Sequence, residues 1–209
     1  MKGAEIMNNK ENSKKTFNKQ AFEYDSNIQG QHARKLYQPI LEVLSGKHIS
    51  SLLDLGCGTG ELLKEIYLLG ITDKLIGMDI SPNMISVAKQ KLSNTAKLIL
   101  GDSEKLPFQK NSFDVVVCND SFHHYPSPDK VLEEVSRVLK KEGLLIIGDC
   151  WQPIGARQIM NCYMKHSNEG DVKIYSKREM ISFLSNHFCQ IEWKKIGYTS
   201  SLTTAKNVD

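Results

Sequence analysis

The chain has 209 residues, of which 40% are hydrophobic and 24% are charged. This length suits one α/β domain with a sizeable core, and the composition is that of a soluble globular protein. No apolar run approaches the roughly 20 residues that cross a bilayer, and no apolar segment follows the N-terminal lysines as it would in a secretory signal. We therefore expect no membrane insertion and a cytoplasmic location.

The net charge of +3 is concentrated at the N-terminus, because residues 1–20 hold five lysines and two glutamates while the remaining residues balance. Nucleic-acid binding depends on clustered Lys and Arg, so a neutral body argues against that class of partner. We expect residues 1–16 to form a flexible basic arm. The five cysteines are odd in number and include no C-x-x-C pair, which predicts neither a disulfide framework nor a metal site.

From about residue 17, apolar residues recur at helical spacing, which predicts an N-terminal helical lid over residues 17–50. Strand-like and helix-like segments then alternate over residues 51–150, a pattern typical of a parallel sheet. The predicted strands are Leu52–Leu55, Leu75–Met78, Lys97–Leu100, Phe113–Cys118 and Leu144–Gly148. The predicted helices between them are Glu61–Leu69, Pro82–Leu92 and Pro128–Leu139, the last ended by Gly143.

The C-terminal part has a different pattern. Two helical stretches predict a helical cover over residues 151–187, and alternating apolar residues from Phe188 predict a closing hairpin over residues 188–209. There is no internal repeat and no long linker, so residues 17–209 are expected to form a single domain.

A glycine-rich loop follows the first predicted strand and reads Asp54-x-Gly56-x-Gly58-x-Gly60. Glycines let a ligand approach the backbone, and the helix that follows offers unpaired N–H groups. A dinucleotide fingerprint would read G-x-G-x-x-G, whereas here the third glycine comes one residue early. The loop therefore predicts a nucleotide-type pocket and disfavours a nicotinamide-dependent dehydrogenase.

Polar residues also end three further strands: Asp79, then Asp102 with Ser103, and then Asn119 with Asp120. Ligands of open α/β sheets bind beyond the carboxyl ends of the strands, and a carboxylate at the second strand can accept both hydroxyls of a ribose. Each aspartate taken alone could simply cap a helix or open a turn. Their occurrence at successive strand ends predicts a cofactor site.

This constellation resembles the core of class I S-adenosylmethionine-dependent methyltransferases over residues 52–149. The runs Phe113–Pro126 and Glu133–Gly143 are similar to the branch that contains the ubiquinone and menaquinone biosynthesis methyltransferases, as is Phe17-x-x-x-Ala21-x-x-Tyr24-Asp25. The resemblance implies a Rossmann-like α/β fold with a mostly parallel seven-stranded sheet, helices on both faces and a C-terminal antiparallel hairpin. It also implies S-adenosylmethionine as cofactor and S-adenosylhomocysteine as product.

The resemblance further implies which residues hold the cofactor. Asp79 would bind the ribose hydroxyls, Asp102 the adenine amine and Asn119 the methionine amino group. Ile80 and Met84 would flank the adenine, although Met84 is equally suited to fill the core. The complete set comprises Tyr24, Arg34, Asp54, Gly56, Cys57, Gly58, Gly60, Asp79, Ile80, Met84, Asp102, Ser103 and Asn119.

A sulfonium is already an activated methyl donor, so the protein mainly has to hold an acceptor in line with the bond to the methyl group. His123 and His124 follow the fourth strand, where the acceptor should lie, and either could act as a base, although histidines also pack in such turns. Acceptor specificity is expected in residues 151–187, where these side chains could instead only pack a cover: Trp151, Met160, Tyr163, Met164, His166 and Tyr175.

We expect the acceptor to be a small molecule. Asn119-Asp120-Ser121-Phe122 lacks the prolines of enzymes that methylate exocyclic amines of nucleic-acid bases or glutamine amides. Two alternatives stay open at this point. One is a catalytically idle module that binds S-adenosylmethionine or S-adenosylhomocysteine, and the other is a nucleic-acid methyltransferase that uses the basic arm.

Overall fold

One seven-stranded sheet organises the structure, a computed structural model that describes residues 2–72, 74–164, 167 and 170–208. Its strands are β1 Leu52–Leu55, β2 Leu75–Asp79, β3 Lys97–Leu100, β4 Phe113–Asn119, β5 Leu139–Cys150, β6 Phe188–Ile196 and β7 Ser200–Asn207. The strand order is β3-β2-β1-β4-β5-β7-β6, with parallel pairs from β3 to β5 and antiparallel pairs at β7. The predicted sheet with its C-terminal hairpin is confirmed.

The described helices are α1 Lys2–Gln20, α2 Ile28–Arg34, α3 Tyr37–Leu44, α4 Glu61–Leu68, α5 Pro82–Leu92, α6 Pro128–Val138, α7 Ile154–Met164 and α8 Lys177–Leu184. Of these, α6 and α8 pack on one face of the sheet and α3, α4 and α5 on the other. Successive side chains of a strand point to opposite faces. Accordingly, Val116 and Cys118 of β4 join a core with α6 and α8, whereas Val115 and Val117 join a second core with α3, α4 and α5. A strand covered on both faces is continuously apolar, as the sequence pattern indicated.

Two predicted helix boundaries have different outcomes. Ser81 caps α5, since its hydroxyl accepts a hydrogen bond from the N–H of Met84 at 3.1 Å, and Pro82 is the first helical residue as expected. Gly143, in contrast, does not end a helix: α6 ends at Val138 and the chain passes directly into β5. The pairing with β4 is irregular here, and a Cβ on Gly143 would lie 2.7 Å from the carbonyl oxygen of Lys140.

The N-terminus differs from the flexible arm expected for residues 1–16, because α1 begins at Lys2. Tertiary contacts explain the helix. The Lys10 ammonium lies 2.8 Å from the carboxylates of both Asp102 and Glu104, and the Ser13 hydroxyl donates to the carbonyl of Gly170 at 3.0 Å. At least one lysine of this segment, Lys10, thus pairs with acidic side chains in the rest of the protein.

Among the described residues, no helix has both the length and the apolar content needed to cross a membrane.

Candidate active site

A cavity opens beyond the carboxyl ends of β1, β2, β3 and β4, where the strand order reverses between β1 and β4. Together with its mouth and the open solvent there, it contains about 950 Å³ of empty space. Most of the residues that the resemblance assigned to a cofactor line it, namely Tyr24, Asp54, Gly56, Cys57, Gly58, Asp79, Ile80, Met84, Asp102, Ser103 and Asn119. Arg34 and Gly60 do not.

The three glycines of the loop differ in their surroundings. A Cβ on Gly56 would lie 2.6 Å from the Ser121 hydroxyl, and one on Gly60 would lie 2.7 Å from a methyl group of Leu92. Gly58 has a φ of +52°, and a Cβ there would meet nothing within 4 Å. Gly58 therefore leaves space at the cavity wall, whereas Gly60 allows α4 to start against α5.

Asp79 connects the end of β2 to the glycine loop. One carboxylate oxygen accepts the N–H of Gly58 at 2.9 Å, and the other accepts the N–H of Ser81 at 2.8 Å. Burial raises the pKa of Asp79, although these backbone hydrogen bonds act in the opposite direction. Each carboxylate oxygen can accept further hydrogen bonds, so a ligand with hydroxyl groups fits this position.

Asp54 and Asn119 place buried acceptor atoms at the cavity between β1 and β4. Asp54 is 1% exposed, and burial, followed by the charge of Asp79, raises the pKa of Asp54 to about 7. Within the described part of the chain, Oδ1 of Asp54 and Oδ1 of Asn119 are buried without a hydrogen-bond partner. Buried acceptors of this kind ordinarily have a donor. A ligand with an ammonium group would supply one, so the residues present fit the amino group of a bound methionine moiety.

Asp102 and Ser103, which follow β3, line the cavity together with Met84 of α5. Asp102 receives the Lys10 ammonium on one oxygen and the N–H of Glu104 on the other, at 2.8 and 2.9 Å. Met84 is 1% exposed to solvent and borders the cavity, so it packs in the core and lines the site at once. Sequence reasoning missed Lys10 because it lies in the part expected to be a flexible arm.

The segment after α1 closes one side of the cavity. Tyr24 lines it, and burial raises the pKa of its phenol. The neighbouring Asp25 accepts a hydrogen bond from the Thr59 hydroxyl of the glycine loop at 2.5 Å. Arg34 points elsewhere: its side chain is partly exposed and lies 4.0 Å from Glu61. Of the two lid residues predicted, only Tyr24 is positioned to contact a ligand in the cavity.

His123 and His124 occupy different positions. His124 lines the cavity and packs edge-on against Phe17 of α1, with ring centroids 4.9 Å apart. His123 lies behind it, with Nδ1 2.5 Å from the Asp149 carboxylate. Burial opposes charge on both rings. It lowers the pKa of His124, with a further contribution from His123, whereas Cys150 and Asp149 outweigh it and raise the pKa of His123.

The residues considered for acceptor specificity in 151–187 do not line this cavity, as far as they are described. Met160 and Tyr163 are exposed on α7, Trp151 packs against Trp193, and Tyr175 is buried against Phe122. His166 lies outside the described residues. The alternative interpretation, in which these side chains only pack a cover, fits the buried Met164 and Tyr175 but not the exposed Met160 and Tyr163.

Asp120, named in the sequence with Asn119 at the end of the fourth strand, also lines the cavity, whereas other lining residues were not predicted, among them Tyr37, Ser121 and Tyr125. The Tyr125 hydroxyl lies 3.2 Å from that of Ser121, which in turn donates to the carbonyl of Leu55 at 3.1 Å. Ser121 and Tyr125 belong to the run Phe113–Pro126 that supported the resemblance, so the signal was present. Their proximity to the glycine loop, however, depends on the pairing of β1 with β4.

Comparison with known proteins agrees with this geometry. Residues 47–201 match a family model described as a methyltransferase domain. A demethylmenaquinone methyltransferase of Oceanobacillus iheyensis is 39% identical over 120 residues, which are 54% of this chain and 50% of that protein. The sterol 4-C-methyltransferase strm-1 of Caenorhabditis elegans is 34% identical over 121 residues, 56% of this chain and 36% of that protein. The chain thus spans about half or less of the length of these relatives.

Solved structures show the same fold. Phosphoethanolamine N-methyltransferase 2 of Haemonchus contortus, solved in complex with S-adenosyl-L-methionine, superposes with a TM-score of 0.72 at 15% identity, covering 83% of this chain and 52% of that one. The PH0226 protein of Pyrococcus horikoshii gives 0.71 at 24% identity, covering 88% and 93%. The family model covers most of the chain, and the resemblance found in the sequence is confirmed. The chain belongs to the methyltransferase domain family.

Proposed function

We propose that this protein is an S-adenosylmethionine-dependent methyltransferase that transfers a methyl group to a small-molecule acceptor. One observation carries the proposal: the buried acceptor oxygens of Asp54 and Asn119 lack partners in the described structure and border the same cavity as the glycine loop and Asp79. A methionine ammonium group satisfies both acceptors, and the ribose hydroxyls reach Asp79. A nicotinamide dinucleotide has no ammonium group to offer there.

The bound cofactor supplies an activated methyl group on a sulfonium centre. The protein residues bind and orient it. In this proposal the Gly58 backbone follows the methionine part, Asp102 accepts a hydrogen bond from the adenine amine, and Ile80 and Met84 enclose the ring. The two ends of the cavity thereby set the direction of the cofactor, which determines where the methyl group points.

The acceptor occupies the part of the cavity bordered by Tyr37, Tyr125 and His124. Helix α1 contributes Phe17 to the lining, so the acceptor lies beneath helical cover in a water-poor space. This enclosure favours a small molecule over a polymer. The histidine pair is proposed to assist proton loss from the acceptor, with His124 at the cavity wall and His123 behind it.

The proposal is tested by calorimetric titration of the full chain with S-adenosylhomocysteine. We expect micromolar binding that Asp79→Asn weakens at least about tenfold, because a hydrogen bond to a charged group contributes about 1.5–3 kcal/mol. Glu133→Gln makes the same chemical change at an exposed helical position and should bind as the wild type does. Since Asp79 also holds the loop, Asp102→Asn serves as a second variant at the adenine end.

Absence of binding at high micromolar concentration, or equal binding by Asp79→Asn and Glu133→Gln, would overturn the cofactor assignment. Turnover is measured separately, as S-adenosylhomocysteine formed from S-adenosylmethionine with a panel of small hydroxylated and amine acceptors. Binding with no turnover on any acceptor of the panel would favour the idle module over the enzyme.

A further inference from the structure

A group of three metal-ligating atoms lies at the edge of the cavity. Oδ1 of Asp171 is 3.1 Å from Nδ1 of His124 and 3.7 Å from Nε2 of His123, and the three ligand atoms lie within 4.8 Å of one another. Ligands bonded to one ion at about 2.1 Å are separated by about 3.0–3.5 Å. The two separations that involve Asp171, 3.1 and 3.7 Å, are close to those of ligands on a single ion.

The hydrogen bonding of His123 fixes which of its nitrogens faces Asp171. Nδ1 is 2.5 Å from Oδ1 of Asp149, whose side chain is 4% exposed, and the same carboxylate oxygen accepts the N–H of Cys150 at 2.8 Å. With Nδ1 held by Asp149, Nε2 is the ring nitrogen that faces Asp171, at 3.7 Å. A carboxylate that holds the far nitrogen of a ligating histidine is the usual support of a metal site.

The backbone holds Asp171 against the two histidines. The N–H groups of Val172 and Lys173 both donate to the carbonyl of His123, at 2.9 and 3.1 Å. Ile174 is in turn tied to Asn161 of α7 by two hydrogen bonds, at 2.8 and 3.0 Å. These contacts join the segment after α7 to the turn that contains the histidines, so the ligand set is assembled before any ion arrives.

The geometry of this group fits a bound cation. Nδ1 of His124 is buried and makes no hydrogen bond within the described part of the chain, although Oδ1 of Asp171 is nearby. Two imidazole nitrogens and a carboxylate oxygen thus converge on one space. We propose that His123, His124 and Asp171 bind a divalent first-row transition-metal ion at the acceptor end of the cavity.

The ligand chemistry selects the class of ion. Two imidazole nitrogens and one carboxylate suit zinc, iron, cobalt or nickel, whereas magnesium and calcium prefer sites made of oxygen atoms. Cys150 and Asp149 form another possible group with His123, but Asp149 already engages Nδ1 of that ring. The assignment to Nε2 therefore favours the group that contains Asp171.

This site, if the proposed methyltransferase function holds, also defines the acceptor class. Three protein ligands leave positions open on the ion, and His124 borders the cavity. A hydroxyl oxygen of the acceptor can occupy an open position, where the metal lowers its pKa and favours the nucleophilic alkoxide or phenolate. The histidines then act as ligands, and the acceptor is a hydroxyl-bearing compound such as a phenol.

The test uses the full chain, freed of metal by a chelator and then dialysed. Calorimetric titration with zinc chloride should give about one ion per chain, and cobalt(II) should give an absorption spectrum of nitrogen and oxygen ligation. Asp171→Ala and His124→Gln should each weaken zinc binding at least tenfold. His48→Gln removes an exposed histidine elsewhere and should bind zinc as the wild type does.

No zinc binding by the wild type, or binding by Asp171→Ala equal to that of the wild type, would overturn the proposal. Circular dichroism checks that each variant folds. If His124→Gln fails to fold, Asp171→Ala alone decides the test. S-adenosylhomocysteine is titrated into the same preparation. Its failure to bind while zinc binds would overturn the proposed function alone, and the reverse result would overturn the metal site alone.

Discussion

Replacing Asp54 by Asn tests how the buried carboxyl of β1 affects stability. Asp54 is 1% exposed, and its Oδ1 has no hydrogen-bond partner among the described residues. Burial and the neighbouring Asp79 raise the pKa of Asp54 from an ordinary 3.8 to about 7. An asparagine has nearly the same shape and stays neutral at every pH, so the substitution removes the cost of ionising this group.

The magnitude follows from proton linkage. The folded state binds the Asp54 proton more tightly than the unfolded state does, so stability is greatest below the unfolded pKa and is lost as the pH rises through the folded pKa. At about 1.4 kcal/mol per pKa unit, the whole effect is about 4 kcal/mol, of which about 3 kcal/mol is lost between pH 5 and pH 9. The loss should level off above the folded pKa.

Urea denaturation of ligand-free protein at roughly pH 5, 7 and 9 measures this effect. We expect the free energy of unfolding of Asp54→Asn, relative to the wild type, to increase by about 3 kcal/mol across that range. Asp129→Asn changes an exposed aspartate and should show a much smaller pH dependence. A difference between Asp54→Asn and the wild type that does not change with pH would refute the reasoning.

Three further substitutions have distinct expected outcomes. Gly58→Ala should cost only about 1 kcal/mol of stability for its positive φ but weaken S-adenosylhomocysteine binding in calorimetry, because its Cβ enters space at the cavity wall. Gly60→Ala should instead lower stability by about 2–4 kcal/mol in urea, because its Cβ would meet Leu92. Asn207→Ala should cost about 2–3 kcal/mol, since the buried Ser136 hydroxyl and carbonyl lose their partner; an unchanged urea midpoint would contradict this.

The sheet and the cofactor end of the cavity could be predicted because their signals are local. Continuous apolar runs mark the buried parallel strands, and the glycine loop and Asp79 follow strand ends that the topology brings together. Helix α1 was missed because its polar sequence has little helical periodicity. One stabilising contact, between Lys10 and Asp102, joins residues 92 positions apart, and no local pattern reveals it.

The end of the cavity where the acceptor is proposed to bind was harder to predict, because it too depends on contacts between residues far apart in the sequence. His123 and His124 could be located from the sequence, but their partners Asp149 and Asp171 come from β5 and from an irregular segment after α7. The association depends on backbone hydrogen bonds from Val172 and Lys173, which carry no side-chain signature. A carboxylate in a loop is ordinarily solvated, so its role emerges only from the tertiary contact.

The unpaired acceptors of the cavity connect stability with function. Buried polar atoms without partners cost about 1–3 kcal/mol each, and among the described residues Asp54 and Asn119 each have such an atom where the methionine amino group is proposed to bind. A ligand that donates to both recovers this energy only in the bound state. Residues that lower the stability of the ligand-free protein thereby contribute to affinity, so Asp54→Asn should stabilise the free protein at high pH and weaken cofactor binding at the same pH. A variant that gained stability and kept full affinity would break this link.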